Sequence, residues 1–106
     1  MTVRAAEKPV YWHRDLPPLH AQPIGEHTIE AVSAHVRGRV GHHDEMWAQC
    51  YDDLMATTNR RLEQEIGRLG GQFAHVLHEK IEPKHDEAKN EGWLYGRFVY
   101  ELYKAS

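Results

Sequence analysis

Residues Asp44 to Leu69 carry the one pattern in this chain that constrains its fold most. Met46, Trp47, Cys50, Tyr51, Leu54, Met55, Thr58, Leu62, Ile66 and Leu69 recur at three- and four-residue steps, the period of a helix face. Asp44 and Glu45 place negative charge at the start of this helix, with His43 or Asp44 as its cap. Arg68 and the pair Gly70-Gly71 mark its end. At 1.5 Å per residue such a helix runs about 39 Å. The strand-like run Trp93–Lys104, at about 3.4 Å per residue, spans about 40 Å, so helix and hairpin match in length.

Three strands are predicted around the helix. Glu26–Val36 alternates moderately, Phe73–Glu82 reads as a second strand ended by Pro83, and Gly92 opens the third, Trp93–Tyr103. Lys84–Glu91 reads as a long polar connection. In the second strand, alternation puts Phe73, His75, Leu77, Glu79 and Ile81 on one face and Ala74, Val76, His78 and Glu82 on the other. In the third, Leu94, Gly96, Phe98, Tyr100 and Leu102 share one face, while Trp93, Tyr95, Arg97, Val99, Glu101 and Tyr103 share the other. Both faces of that strand carry aromatic groups, and one helix covers only one of them. The expected fold is therefore α+β, one long helix on a small, mainly antiparallel three-stranded sheet in the order β-α-β-β.

Four of the five prolines, Pro9, Pro17, Pro18 and Pro23, fall before Glu26. They remove amide donors and disfavour regular structure, so residues 1–25 read as an extended arm and 26–106 as a single domain. The arm also holds Tyr11, Trp12, Leu16, Leu19 and Ile24, more large apolar groups than a disordered tail carries, so it is expected to pack on its own sheet or a neighbour's. A chain of 106 residues supports one modest core.

Composition narrows the function classes. The net charge is −3, and 13 basic residues are interspersed with 16 acidic ones, which argues against nucleic acid as a partner. No apolar run has the length of a signal-peptide core or a membrane span, so the expectation is a soluble cytoplasmic protein with no membrane partner. Cys50 is the only cysteine and lies on the helix stripe, where packing is its expected role. No nucleophile elbow, phosphate loop or GxGxxG occurs, and no catalytic residue is assigned.

Nine histidines supply the remaining candidate chemistry. His42 and His43 before the helix, and His85 with Asp86, are candidate ligands for a divalent metal such as zinc or nickel, although neither HExxH nor His-x-His spacing is present. His75, oriented by Glu79 or Glu30, is a candidate base or ligand in a pocket between helix and sheet. Trp93, Tyr95 and Arg97 would line that pocket or, with Tyr103, Tyr11 and Trp12, form the centre of a subunit interface.

The run Arg68-Leu69-Gly70-Gly71-Gln72-Phe73-Ala74-His75-Val76, followed by a polar loop and Gly96 in the last strand, resembles the small YbjQ-like family, described as putative heavy-metal-binding proteins. Dodecin-type flavin proteins are similar in element order. The resemblance implies a strand-helix-strand-strand subunit assembled into a ring, and it carries over no ligand residue. The resulting expectation is a non-enzymatic, homo-oligomeric binding module. A histidine-based metal protein and a small-ligand binder or enzyme around His75 stand as alternatives.

Overall fold

The computed structural model describes residues 9–15, 21–38 and 43–105. Its elements are β1 (Val10–Trp12), β2 (Ala21–Val32), β3 (Val36–Arg37), α1 (His43–Arg68), β4 (Phe73–Asp86) and β5 (Glu91–Ala105). The sheet has five strands in the order β1-β4-β5-β2, with β3 continuing beside β5 beyond the end of β2. β2, β3 and β4 are antiparallel to β5, whereas β1 adds parallel to β4. The three-stranded, mainly antiparallel sheet with a separate arm is thus corrected to a five-stranded mixed one.

Two local rules account for the difference. The arm's Val10, Tyr11 and Trp12 pair with Ala74, His75 and Val76, because their side chains find apolar ground on both faces of the sheet. Proline, in turn, breaks a strand only where its amide is needed. Pro83 pairs with Leu94, whose own N–H and C=O bond Ser33 on the opposite side, so the missing amide of Pro83 points away from β5. Pro23 stands likewise opposite Tyr103, whose carbonyl accepts from Gln72 on the β4 side. Both prolines sit on edge strands in non-bonding positions, and β4 continues through Pro83 to Asp86. The connection to β5 is then only Glu87–Asn90, with Asp86 Oδ1 accepting from Ala88 N at 3.0 Å and Lys89 N at 3.3 Å.

The helix ends where its glycine pair directs. Gly70 takes φ +76°, Gly71 N donates to Ile66 O at 2.9 Å and Gly70 N to Gly67 O at 3.4 Å, the two bonds of a Schellman cap. Met46, Cys50, Leu54, Thr58, Leu62 and Ile66 are buried, while Tyr51 stays 45% exposed at the margin of the stripe. Cys50, Leu54, Leu62 and Ile66 form one core with Ile29 and Ala31 of β2, Ala74 and Val76 of β4, and Leu94, Phe98, Tyr100 and Leu102 of β5. Gly96 lets the layers close: a Cβ there would stand 2.6 Å from Phe98 Cε2 and 3.2 Å from Leu54 Cδ2. Within the helix the buried Thr58 hydroxyl donates to Leu54 O at 2.7 Å, and Cys50 Sγ lies 3.4 Å from Gly92 O.

The open face of the sheet

Register assigns each side chain to a face, since residues directly opposite in an antiparallel pair point the same way. On the face away from the helix, β5 presents Trp93, Tyr95, Arg97, Val99, Glu101 and Tyr103, in the partition that alternation predicts. β4 departs from it. The register shifts between Val76 and His78, so Leu77 is an extra residue, and every side chain beyond it changes face. His75 and His78 therefore share the open face, whereas Glu79 and Ile81 turn to the helix side.

This geometry separates the residues expected to form a pocket. His75 pairs with Glu101 on the open face, so the helix–sheet pocket around it does not form. Its Nε2 lies 2.8 Å from the carbonyl oxygen of His13 and donates there in the tautomer protonated at that nitrogen. Glu79, across the bulge, meets His13 instead: Nε2 and Oε1 are 2.7 Å apart, a close polar contact without hydrogen-bond alignment. His13 holds φ +36°, an uncommon backbone region for histidine, in a turn where Trp12 N donates to Asp15 Oδ2 at 2.8 Å. This His13–Glu79 contact fastens the end of β1 to β4. Sequence reasoning missed His13, for which the only signal was the abundance of histidine. Glu30 also leaves His75 alone, because its carboxylate accepts the hydroxyl proton of Tyr95.

The aromatic arm divides between the two faces. Trp12 packs edge-on against Phe98 at 5.8 Å, and its indole N–H donates to Asn59 of the helix at 3.3 Å, so it is a core residue and not part of an exposed interface. Tyr11 lies on the other face but is buried, edge-on to Phe73 at 5.3 Å; Phe73 in turn stacks on Tyr103 at 5.1 Å. That end of the open face is closed within the chain. The rest of it stays accessible: Val32 is 49% exposed, and Trp93 and Tyr95 are half-buried. Arg97, Glu30, Lys80 and His78 are exposed around them. His35 stacks on Trp93 at 3.9 Å and reaches Glu91 with Nδ1 at 3.5 Å. The Tyr95 phenol is raised above its ordinary range, first by the bond to Glu30 and then by desolvation.

Of the metal candidates, only the side chains of His85 and Asp86 lie among the described residues. His42 and the side chain of His43 lie outside the described residues. His85 and Asp86 are consecutive in a strand and point to opposite faces, with Asp86 spent on the turn amides. Among the described residues no three histidine, cysteine, aspartate or glutamate side chains converge to hold a metal ion. Among them, too, no helix is long and apolar enough to cross a membrane.

The edges of the sheet are better protected than its face. On β2 the helix side chain of Arg61 donates to the carbonyl of Glu30 and the register slips between Pro23 and Gly25, while just beyond its end Asp53 Oδ2 accepts from Ala34 N at 2.6 Å. On β4 the edge is occupied by β1 near Ala74 and interrupted by Pro83 farther on. Prolines, bulges and covering side chains are the devices by which edge strands avoid pairing with other chains. Comparison with protein-family models, curated proteins and solved structures found no match to this chain.

Proposed function

We propose that this chain is a non-enzymatic module that self-associates by packing the open face of its sheet against a second copy. The observation that carries this reading is the contrast between two interrupted edges and an accessible face bearing Trp93, Tyr95 and Val32. A sheet binds another chain through an edge or through a face. Interruption of the edges leaves the face, where aromatic and arginine side chains supply the contacts that dominate interfaces. The cytoplasm, where a lone buried thiol stays reduced, is its expected setting.

Three strands about 4.8 Å apart, over roughly nine residues each, give a patch of about 14 by 30 Å, on the order of 400 Å² per copy. Two copies together would bury about 800 Å², below the roughly 1,200 Å² at which stable interfaces begin, so the association is weak and concentration-dependent. Sedimentation velocity from roughly 5 to roughly 500 µM brackets that regime. A rise in mass with concentration, abolished by Trp93→Ser with Tyr95→Ser, supports the proposal. A strict monomer throughout, or a dimer indifferent to those substitutions, refutes it.

A further inference from the structure

The helix carries side chains that close the β2 edge to a further strand, a matter separate from the packing of the open face. Ser33 N donates to Leu94 O at 2.8 Å, so the odd-numbered residues of β2 turn their amides and carbonyls toward β5. From Glu26 onward the even-numbered residues, Glu26, Thr28, Glu30 and Val32, turn theirs outward, as does Ala34 beyond the end of the strand. Two of these outward groups are occupied by side chains of α1. Asp53 Oδ2 accepts from Ala34 N at 2.6 Å, and the Arg61 guanidinium donates to Glu30 O. A carboxylate thus meets an amide, and a guanidinium meets a carbonyl. The helix from Asp53 to Arg61 rises about 12 Å, which matches the strand from Glu30 to Ala34 at about 13 Å.

Both side chains sit where the backbone of a neighbouring strand would lie. Such a strand, about 4.8 Å from β2, would bring its own N–H to Glu30 O and its own C=O to Ala34 N, the places that Arg61 and Asp53 hold. Between the two contacts only Val32 faces outward. On the other side of Arg61 only Thr28 and Glu26 do, before the register slips between Pro23 and Gly25. Each stretch is shorter than the usual strand of about 5–6 residues. Without the Arg61 contact the two merge into Glu26–Val32, a run of ordinary strand length that includes β-branched Thr28, Ile29 and Val32. An antiparallel pair of these runs centred on Ile29 sets Glu26 opposite Val32 and Thr28 opposite Glu30, so each carboxylate lies directly across from a neutral side chain. We infer that Arg61 guards this edge: it holds closed a strand-pairing surface on β2 whose fitting partner is β2 of a second copy, antiparallel to the first.

The test uses the full chain with Arg61→Ala, and with Arg60→Ala as a control that removes the same charge from the neighbouring exposed position. Alanine is the best helix former, and circular dichroism establishes that both variants are folded. In sedimentation velocity Arg61→Ala is expected to associate at least about tenfold more tightly than the parent, and Arg60→Ala no more tightly. Hydrogen exchange then locates the contact. β2 is the last strand in the sheet order, so the outward amides of Thr28, Glu30 and Val32 face no strand and should exchange rapidly in the parent. In Arg61→Ala they should become protected as the protein associates, whereas packing of the open face gives them no ladder bond. No gain in association by Arg61→Ala, an equal gain by Arg60→Ala, or a gain that leaves these amides fast would each overturn the inference. Slow exchange of the Thr28 and Glu30 amides in the dilute parent, which reads the edge without any substitution, would overturn it as well.

Discussion

Gly96→Ala tests the packing on which the rest of the structure depends. A methyl at Gly96 would lie 2.6 Å from Cε2 and 2.8 Å from Cζ of Phe98, and 3.2 Å from Cδ2 of Leu54. Carbon atoms in favourable contact are about 3.5–4.0 Å apart, so the Phe98 ring has to retreat by about 1 Å. It has little room, since Phe98 and Leu54 are both fully buried and Trp12 stands edge-on behind the ring. Forcing an extra carbon into a filled core costs about 1–3 kcal/mol, offset in part by about 0.5–1 kcal/mol because alanine loses less backbone freedom than glycine in a strand. The net expectation is a loss of about 1–2 kcal/mol, a drop of roughly 5–12 °C in Tm for a domain of this size. Urea unfolding followed by tryptophan fluorescence should show a lower midpoint at unchanged slope. Adding Phe98→Leu should recover about 1 kcal/mol as coupling between the two sites. Gly67→Ala is the control: beyond its chain neighbours and the helix's own backbone, no atom of the described residues lies within 4 Å of its added methyl, and the helix should gain about 0.5 kcal/mol. If Gly96→Ala is as stable as the parent, the helix and sheet do not approach as closely as described and the argument fails.

Other substitutions probe separate parts of the molecule. The Tyr100 hydroxyl is buried with no hydrogen-bond partner among the described residues, and Tyr100→Phe should leave stability unchanged or raise it by about 1 kcal/mol at neutral pH; a loss larger than that would contradict its isolation. Desolvation, reinforced by the nearby Glu65 charge, raises this phenol above its ordinary range. Above about pH 10 the unfolded chain releases a proton that the folded chain retains, so stability falls as pH rises there, and Tyr100→Phe should flatten that slope in alkaline melts. Cys50 is fully buried and its thiol is raised by desolvation, so a thiol reagent such as DTNB should label it only as fast as the chain opens. Labelling at the rate of a free thiol would place Cys50 outside the core. Trp12→Ala removes a half-buried ring from Phe98 and Asn59 and should cost about 2–3 kcal/mol. Hydrogen exchange at Ala74, whose amide bonds Pro9 O at 2.9 Å, should speed up in that variant; unchanged protection would mean that β1 holds without its tryptophan.

How much of this architecture the sequence carries depends on how local each signal is. The helix is legible from Asp44 to Leu69 because its stripe, acidic start and glycine stop are all near-neighbour features, and the structure places it at His43–Arg68. The division of β5 into a core face and an aromatic, charged face follows from alternation alone, since that strand pairs with β4 on one side and β2 on the other and contains no extra residue of its own. Alternation fails in β4, where the extra residue Leu77 moves His78 to the face of His75 and turns Glu79 toward the helix. Nothing local marks that bulge, because its position depends on which residues of β5 lie opposite.

Tertiary pairing also decided the fate of the arm. Proline counts against a strand when its neighbours are unknown, yet Pro23 and Pro83 stand at edge positions whose amides have no ladder partner to lose. Tyr11 and Trp12 signalled an arm that packs, but only the parallel pairing of β1 with β4 assigned one ring to each face. The meeting of His13 with Glu79, and the row formed by Glu30, Arg97 and Lys80, arise from strands brought together by non-adjacent parts of the chain. Periodicity along the chain thus determined the elements and their apolar faces, while register between strands decided which polar groups meet.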